Sequence, residues 1–272
     1  MIKLLKRSVV WGFTIATTFF TFVPDSLIGT VKLYKKMTDD QSLLINRIII
    51  LIAVFIASLL LNILYNWMRR KIKIRGKDYC IQVEFGDLFK SKGCQRIISF
   101  DECFTTSVGN APHEIKPASI CGQYLKAHPN LDIQRIIDET GLRPDEEKSR
   151  FNNQNKYTSG LVVPAGDDLL MAFAKLDTNG RAFFPTRDDY LEALTVMWTE
   201  IHKYYQMKDV CIPILGSGLT TIGESSPSHQ ELLDCIIESY KLSAPKIKNP
   251  QKLRIICQRR DGISLNRIGE MI

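Results

Sequence analysis

Apolar positions in this chain follow two regimes. Before residue 69 they dominate two charge-free runs, Ser8–Val23 and Ile48–Trp67; after it they recur as short β-branched stretches between polar segments. The second run, IIILIAVFIASLLLNILYNW, carries no charge. At about 1.5 Å per residue it measures roughly 30 Å, the depth of a bilayer's hydrocarbon core. The first run is shorter and ends in Pro24-Asp25, so it must continue past Asp25 or tilt in order to span. The pattern predicts a transmembrane hairpin over 1–68, with spans at about 8–30 and 47–67. A cleaved signal peptide is the rival reading of the first run, but no small-x-small site closes it and a second apolar run follows.

Beyond residue 78 the runs YCIQVEF (79–85), RIISF (96–100), GLVVPA (160–165), DLLMAFAKL (168–176), VCIPIL (210–215) and LRIICQ (253–258) read as strands. Residues 188–206 place Leu191, Leu194, Trp198, Ile201 and Tyr205 on one helical face, with Asp188 and Asp189 at the dipole-favoured end. A second helix over 228–241 opens after Pro227. Alternating strands and helices predict a layered α/β domain over 79–272. The polar stretch 143–158 reads as an exposed excursion without chemistry.

Charge sharpens the division. The whole chain carries a formal +7, yet residues 1–77 hold 13 Lys and Arg against three acids, and the remainder is net −3. Basicity on the flanks of apolar runs suits anionic headgroups, whereas a nucleic-acid-binding domain would carry it on its own surface. Nucleic acid is therefore not an expected partner; membrane lipid is. Three positive charges precede the first run, four lie between the runs and six sit in Met68–Lys77. The positive-inside rule then favours both termini and the α/β domain on the cytoplasmic side of the cell membrane. Residues 69–78 read as a basic linker. The seven cysteines include no CxxC pair, and the four histidines have no metal-ligand spacing. Reduced buried thiols and no metal are expected.

Three loops after predicted strands could bind a ligand. In PILGSGLTTIG (213–223), Gly216, Ser217 and Gly218 follow a strand, with Leu219 and the hydroxyls of Thr220 and Thr221 behind them. Glycines there let backbone N–H groups turn toward phosphate oxygens, although a plain tight turn uses the same residues. The spacing is neither a P-loop nor a Rossmann fingerprint. In VEFGDLF (83–89), Gly86-Asp87 is followed by Leu88 and Phe89. Asp87 could accept from an exocyclic amine beside a stacked Phe89, or simply cap a turn. In IISFDECFTTSVGN (97–110), Phe100 and Phe104 interleave with Asp101, Glu102, Thr105, Ser107 and Asn110. Asp101-Glu102 could act as a catalytic acid pair or as ribose-hydroxyl acceptors. All three loops fall where open α/β sheets bind ligands, at the carboxyl ends of strands.

Taken together with IKPASICGQYL (115–125), YTSG (157–160) and AFAKLDTNGRA (172–182), these segments resemble the macro domain of the membrane-anchored effectors of Thoeris-type anti-phage defence. The resemblance implies a macro-like mixed sheet flanked by helices. It also implies a receptor for an ADP-ribose derivative, made from NAD by a TIR-domain protein, that acts on the membrane as a homo-oligomer and causes abortive infection. By that likeness Gly86, Asp87, Leu88 and Phe89 would face adenine. Phe100, Asp101, Phe104, Thr105, Ser107 and Asn110 would face the distal ribose, and Gly216–Thr221 the diphosphate. No cofactor is implied. Hydrolytic macro domains usually carry an Asn-rich strand end and a Gly-rich loop, where this chain has Ser99-Phe100-Asp101-Glu102 and TTSVGN. Binding without hydrolysis is the leading expectation, a membrane-tethered ADP-ribosyl hydrolase the alternative, and a membrane protein with a vestigial pocket a third.

Overall fold

The computed structural model describes residues 2–29, 38–259 and 262–270. The chain divides into two compact units between Arg69 and Arg70. The loop cluster Lys32, Lys35 and Lys36 that enters the orientation argument lies outside the described residues.

The first unit holds helices α1 (Ile2–Phe22), α2 (Asp25–Gly29) and α3 (Asp39–Met68). Thr38 opens α3 with a capping box closed by Gln41, which satisfies two donors that a helix start leaves orphaned. Within α3, the 26-residue stretch Asp40–Tyr65 includes an 18-residue window of mean hydropathy 2.8 and is long enough to cross a bilayer. The apolar stretch of α1, Ser8–Phe22, is too short to meet that criterion. The expected first span over 8–30 is interrupted at Val23-Pro24, and residues 25–29 form the separate helix α2. Proline at that point ends α1 because it cannot supply the next backbone donor. Among the described residues, one helix thus meets the length of a span, where two were expected.

Polar side chains sit in the seam between α1 and α3: Ser58 Oγ donates to the Ser8 carbonyl at 3.1 Å, and Asn62 Nδ2 to Ser8 Oγ at 3.1 Å. Asn46 Nδ2 donates to the Ile28 carbonyl at 2.7 Å. Trp11, Phe13, Phe22, Ile48, Leu60 and Leu61 are exposed. The hydroxyls of Thr14, Thr17, Thr18 and Thr21 each donate to a carbonyl one turn back, so the exposed face of α1 offers few unsatisfied donors.

The second unit is a nine-stranded mixed sheet. Its strands are β1 (Lys71–Arg75), β2 (Cys80–Phe85), β3 (Cys94–Asp101), β4 (Val162–Ala165), β5 (Asp168–Leu176), β6 (Ala182–Phe184), β7 (Asp209–Pro213), β8 (Thr221–Ile222) and β9 (Leu253–Cys257). The order is β1-β2-β9-β7-β3-β5-β6-β8, with β4 pairing β5. The central five, β2-β9-β7-β3-β5, are mutually parallel, and antiparallel strands border them on both sides. Strands covered on both faces must be apolar throughout, and β5 is buried at all but one position. Residues 71–75, expected as linker, are instead edge strand β1. Ile72 and Ile74 enter the core while Lys71, Lys73 and Arg75 face out.

Helices α6 (Arg187–Tyr204), α7 (His229–Leu242) and α8 (Leu265–Glu270) cover one face; α4 (Ile120–Ala127) and α5 (Ile133–Thr140) cover the other. Capping boxes at Thr186/Asp189 and Ser228/Glu231 fix the starts of α6 and α7. Between those helices, buried Trp198 packs edge-on to Tyr240 at 4.8 Å, and its Nε1 donates to Ser239 Oγ at 3.1 Å. This satisfies the one polar atom that burying an indole strands.

Candidate functional site at the carboxyl edge of the sheet

Because the five central strands are parallel, their last residues, Phe85, Asp101, Leu176, Pro213 and Cys257, lie along one edge. All three sequence-predicted loops issue from it.

The loop after β7 is built as a backbone cradle. Ile214 and Leu215 stay buried, and Tyr190 Oη donates to the Leu215 carbonyl at 3.1 Å. The chain then reverses through Gly216 at φ +79°, a left-handed conformation that disfavours any side chain. Ser217 Oγ donates to the Ile214 carbonyl at 2.7 Å, and the ring nitrogen Nε2 of His229 lies 2.9 Å from the Ser217 carbonyl. The carbonyls are thereby tied inward. The amides of Gly216, Gly218, Leu219 and Thr220 donate to no protein acceptor among the described residues. Leu219 is 74 % exposed, and a methyl group at Gly218 would meet nothing within 4 Å. Four backbone donors on this turn are thus left over for a partner outside the protein. Thr220 is half-buried and Thr221 begins β8.

Between β2 and the next turn, the Gly86 amide donates to the Cys257 carbonyl at 3.0 Å. Asp87 caps the 3₁₀ turn Leu88–Lys90, its Oδ1 accepting from the Phe89 amide at 2.9 Å. Its other oxygen lies 3.8 Å from Lys90 Nζ, and its side chain is 47 % exposed. Asp87 therefore caps a turn and still presents an acceptor to solvent. Leu88 is buried in the core, and Phe89 is half-buried against it beside the Arg96 guanidinium.

The loop after β3 is the most constrained. A register shift between Phe100 and Asp101 turns the strand end. Asp101 Oδ1 accepts from the amides of Cys103 at 2.9 Å and Thr105 at 3.1 Å. Burial pushes its carboxyl above the usual aspartate value, and those amides oppose the rise. Phe104, at φ 51°, sits in the core between Phe100 and Tyr157. Phe100 and Phe104 thus back the loop from within. Thr105 is half-buried, while Ser107 and Asn110 are exposed. A bridge between Val108 and Ile115 closes the loop, and the Glu114 carboxylate packs directly over Gly109.

Glu102 has a different occupation from the acid pair considered above. It is 5 % exposed; its Oε1 accepts from the Ser149 hydroxyl at 2.6 Å and from the Leu176 amide at 3.1 Å. Its own amide donates to the Ala174 carbonyl, and its carbonyl accepts from the Tyr157 amide. Glu102 therefore stitches segment 143–158 to the sheet. That segment is anchored structure: Thr158 Oγ1 also bonds Asp145 at 2.8 Å, and Tyr157 is core.

Sequence reasoning did not single out Arg259, whose guanidinium lies 5.9 Å from the Phe85 ring centroid beside Gly86. A basic residue two positions after β9 was the available signal. Two cavities, of about 290 Å³ near Lys73 and about 700 Å³ near His128, lie away from the 216–221 turn. No cluster of metal-ligating side chains occurs among the described residues.

Against known proteins, residues 81–258 match the family described as Thoeris protein ThsA, Macro domain. The chain is 28 % identical over 228 residues to the Thoeris protein ThsA of Bacillus amyloliquefaciens (strain Y2), a match covering 80 % of this chain and 73 % of that protein. Among solved structures, a glycine-to-valine mutant of the Oceanobacillus iheyensis macrodomain with ADPR aligns at a TM-score of 0.47 and 12 % identity, over 74 % of this chain and 98 % of that one. The macrodomain of Thermus aquaticus DarG aligns at 0.38 and 14 % identity, over 66 % of this chain and 97 % of that one. With the family match running from the second residue of β2 to the residue after β9, this chain belongs to the ThsA macro-domain family of Thoeris proteins.

Proposed function

We propose that this protein is an anti-phage defence effector whose macro domain binds an ADP-ribose-type signal and whose N-terminal helices act on the cell membrane. The observation that carries the reading is the 216–220 turn at the carboxyl edge of the sheet, where four amides have no protein acceptor among the described residues. A diphosphate is the natural occupant: it is doubly anionic, and backbone donors supply oriented partial charge at little reorganisation cost. Adenine would lie toward Asp87 and the distal ribose toward Thr105–Asn110. The signal would be an ADP-ribose conjugate made from NAD by a TIR-domain partner, as the Thoeris kinship suggests.

Binding without hydrolysis is supported by the acids present. Glu102 is tied to Ser149 and Leu176, and Asp101 to two backbone amides, so neither is poised to activate water. Membrane action is supported by α3 and by the polarity of the helical unit, with its polar buried seam and apolar exterior. In hydrocarbon that arrangement is favourable, because exposed apolar side chains cost nothing and buried polar ones satisfy each other. A single helical hairpin cannot line a pore, so the effector would act as a homo-oligomer, with its macro domain on the cytoplasmic side.

The test is thermal unfolding of the full chain in neutral detergent with ADP-ribose, ADP and ribose 5-phosphate. Ligand bound only by the native state raises the midpoint, by about 2.7 kcal/mol of stability at a hundredfold excess over Kd. The reading expects ADP-ribose to raise it most; an unchanged midpoint at saturating ADP-ribose would refute it.

A further inference from the structure

We propose a second anion site on the opposite edge of the sheet: a phosphate pocket formed by Lys73 and Arg75 of β1 and by Lys252 just before β9. It is independent of the ADP-ribose reading. The three cations line a concavity of about 290 Å³ together with Gly76, Tyr79 and Asn249, and no carboxylate is among the lining residues. A phosphate with part of its ester fits that space.

Strand periodicity builds the basic wall. In the antiparallel pairing of β1 with β2, Lys73 stands opposite Gln82 and Arg75 opposite Cys80. Side chains two apart on a strand share a face, so the alternation that buries Ile72 and Ile74 puts both cations on the other side. Lys252 precedes β9, on the far side of β2 from β1, where its amide donates to Asp209 Oδ1 at 2.9 Å. Lys73, Arg75 and Lys252 form no ion pair among the described residues. Arg96 and Arg254 of the same unit, by contrast, are each paired, with Asp168 and Glu84. Three cations lining one concavity without a carboxylate repel one another, and a bound phosphate relieves that repulsion while accepting charge-assisted hydrogen bonds.

Two sources carry this chemistry, free phosphate esters and anionic phospholipid headgroups. Calorimetry on the full chain in neutral detergent separates them, with inorganic phosphate and short-chain phosphatidylglycerol as probes. Lys73→Gln and Lys252→Gln should each weaken binding by about tenfold, the scale of one lost charge-assisted bond. Lys71→Gln, on the same face of β1 but outside the cavity, should change it by less than about twofold. Binding of inorganic phosphate with this pattern assigns the site to free phosphates; binding of the phospholipid alone with this pattern assigns it to headgroups. Equal losses in all three variants, or no binding of either probe, would overturn the proposal. Unchanged far-UV circular dichroism and retained ADP-ribose affinity in the variants keep folding and the carboxyl-edge site out of the result.

Discussion

The amide of Phe85 donates to the carbonyl of Arg70 at 2.9 Å. Phe85 is the last residue of β2 and precedes Gly86-Asp87, while Arg70 lies two positions after α3 ends. One backbone bond therefore joins the entry of the chain into the macro domain to the edge that carries the candidate site. From that point β1 runs antiparallel to β2, and in sequence only Arg69 separates Arg70 from Met68, the last residue of α3.

The shortness of that connection yields a prediction. A flexible insertion of about six Gly and Ser residues between Met68 and Arg69 should leave ADP-ribose affinity unchanged, since no bond within the sheet is altered. It should abolish growth arrest in cells that express the protein with an active TIR partner. Calorimetry checks the first outcome and plating after phage challenge the second; full arrest with the insertion would exclude transmission through this segment.

The two glycines of the cradle should separate. Gly216 is at φ +79° with Tyr190 already 3.4 Å from where a Cβ would sit. Gly216→Val should cost about 1–3 kcal/mol in stability and remove ADP-ribose binding. Gly218 faces open space, so Gly218→Ala should fold as the parent does, within about 0.5 kcal/mol. Denaturant unfolding compares the two.

Asp101 should set a pH dependence of unusual sign. Burial raises its carboxyl above the ordinary 3.8, so the folded state holds that proton more tightly than the unfolded chain does. Stability from this group is then greatest below 3.8 and is lost as pH rises through the folded value. Asp101→Asn keeps an oxygen for the amides of Cys103 and Thr105 and removes the charge. It should raise the unfolding midpoint at pH 7, with the gain shrinking as pH falls toward 4; thermal melts across that range read the effect.

Glu102 should behave as an anchor. Glu102→Ala leaves the Leu176 amide and Ser149 hydroxyl without their acceptor, a loss of about 1–3 kcal/mol or more for a buried group. Limited proteolysis should then cut within 145–157 first. A variant with parental stability and altered turnover of an ADP-ribosylated substrate would instead return Glu102 to catalysis.

Much of this was readable in the residues. The five central strands announce themselves because strands buried on both faces need continuous apolar, β-branched sequence, as in DLLMAFAKL. The cradle was visible as glycines after such a strand. β1 was not: KIKIR alternates with period two, but beside Arg69 and Arg70 its lysines read as membrane-flanking charge. Helices α4 and α5 are short, eight residues each, and too brief for periodicity to separate from loop. The roles of Glu102 and segment 143–158 rest on a contact across 47 residues, which local pattern does not encode. Proline at 24 announced the interruption that shortens the first apolar run.

Hydrogen–deuterium exchange on the full chain, with and without ADP-ribose, tests the central claim most directly. The amides of Gly216, Gly218, Leu219 and Thr220 have no internal acceptor, so they should exchange fast in the free protein and slow markedly when the diphosphate occupies them. Saturation with ADP-ribose that leaves this turn exchanging as before, with protection arising elsewhere, would contradict the account.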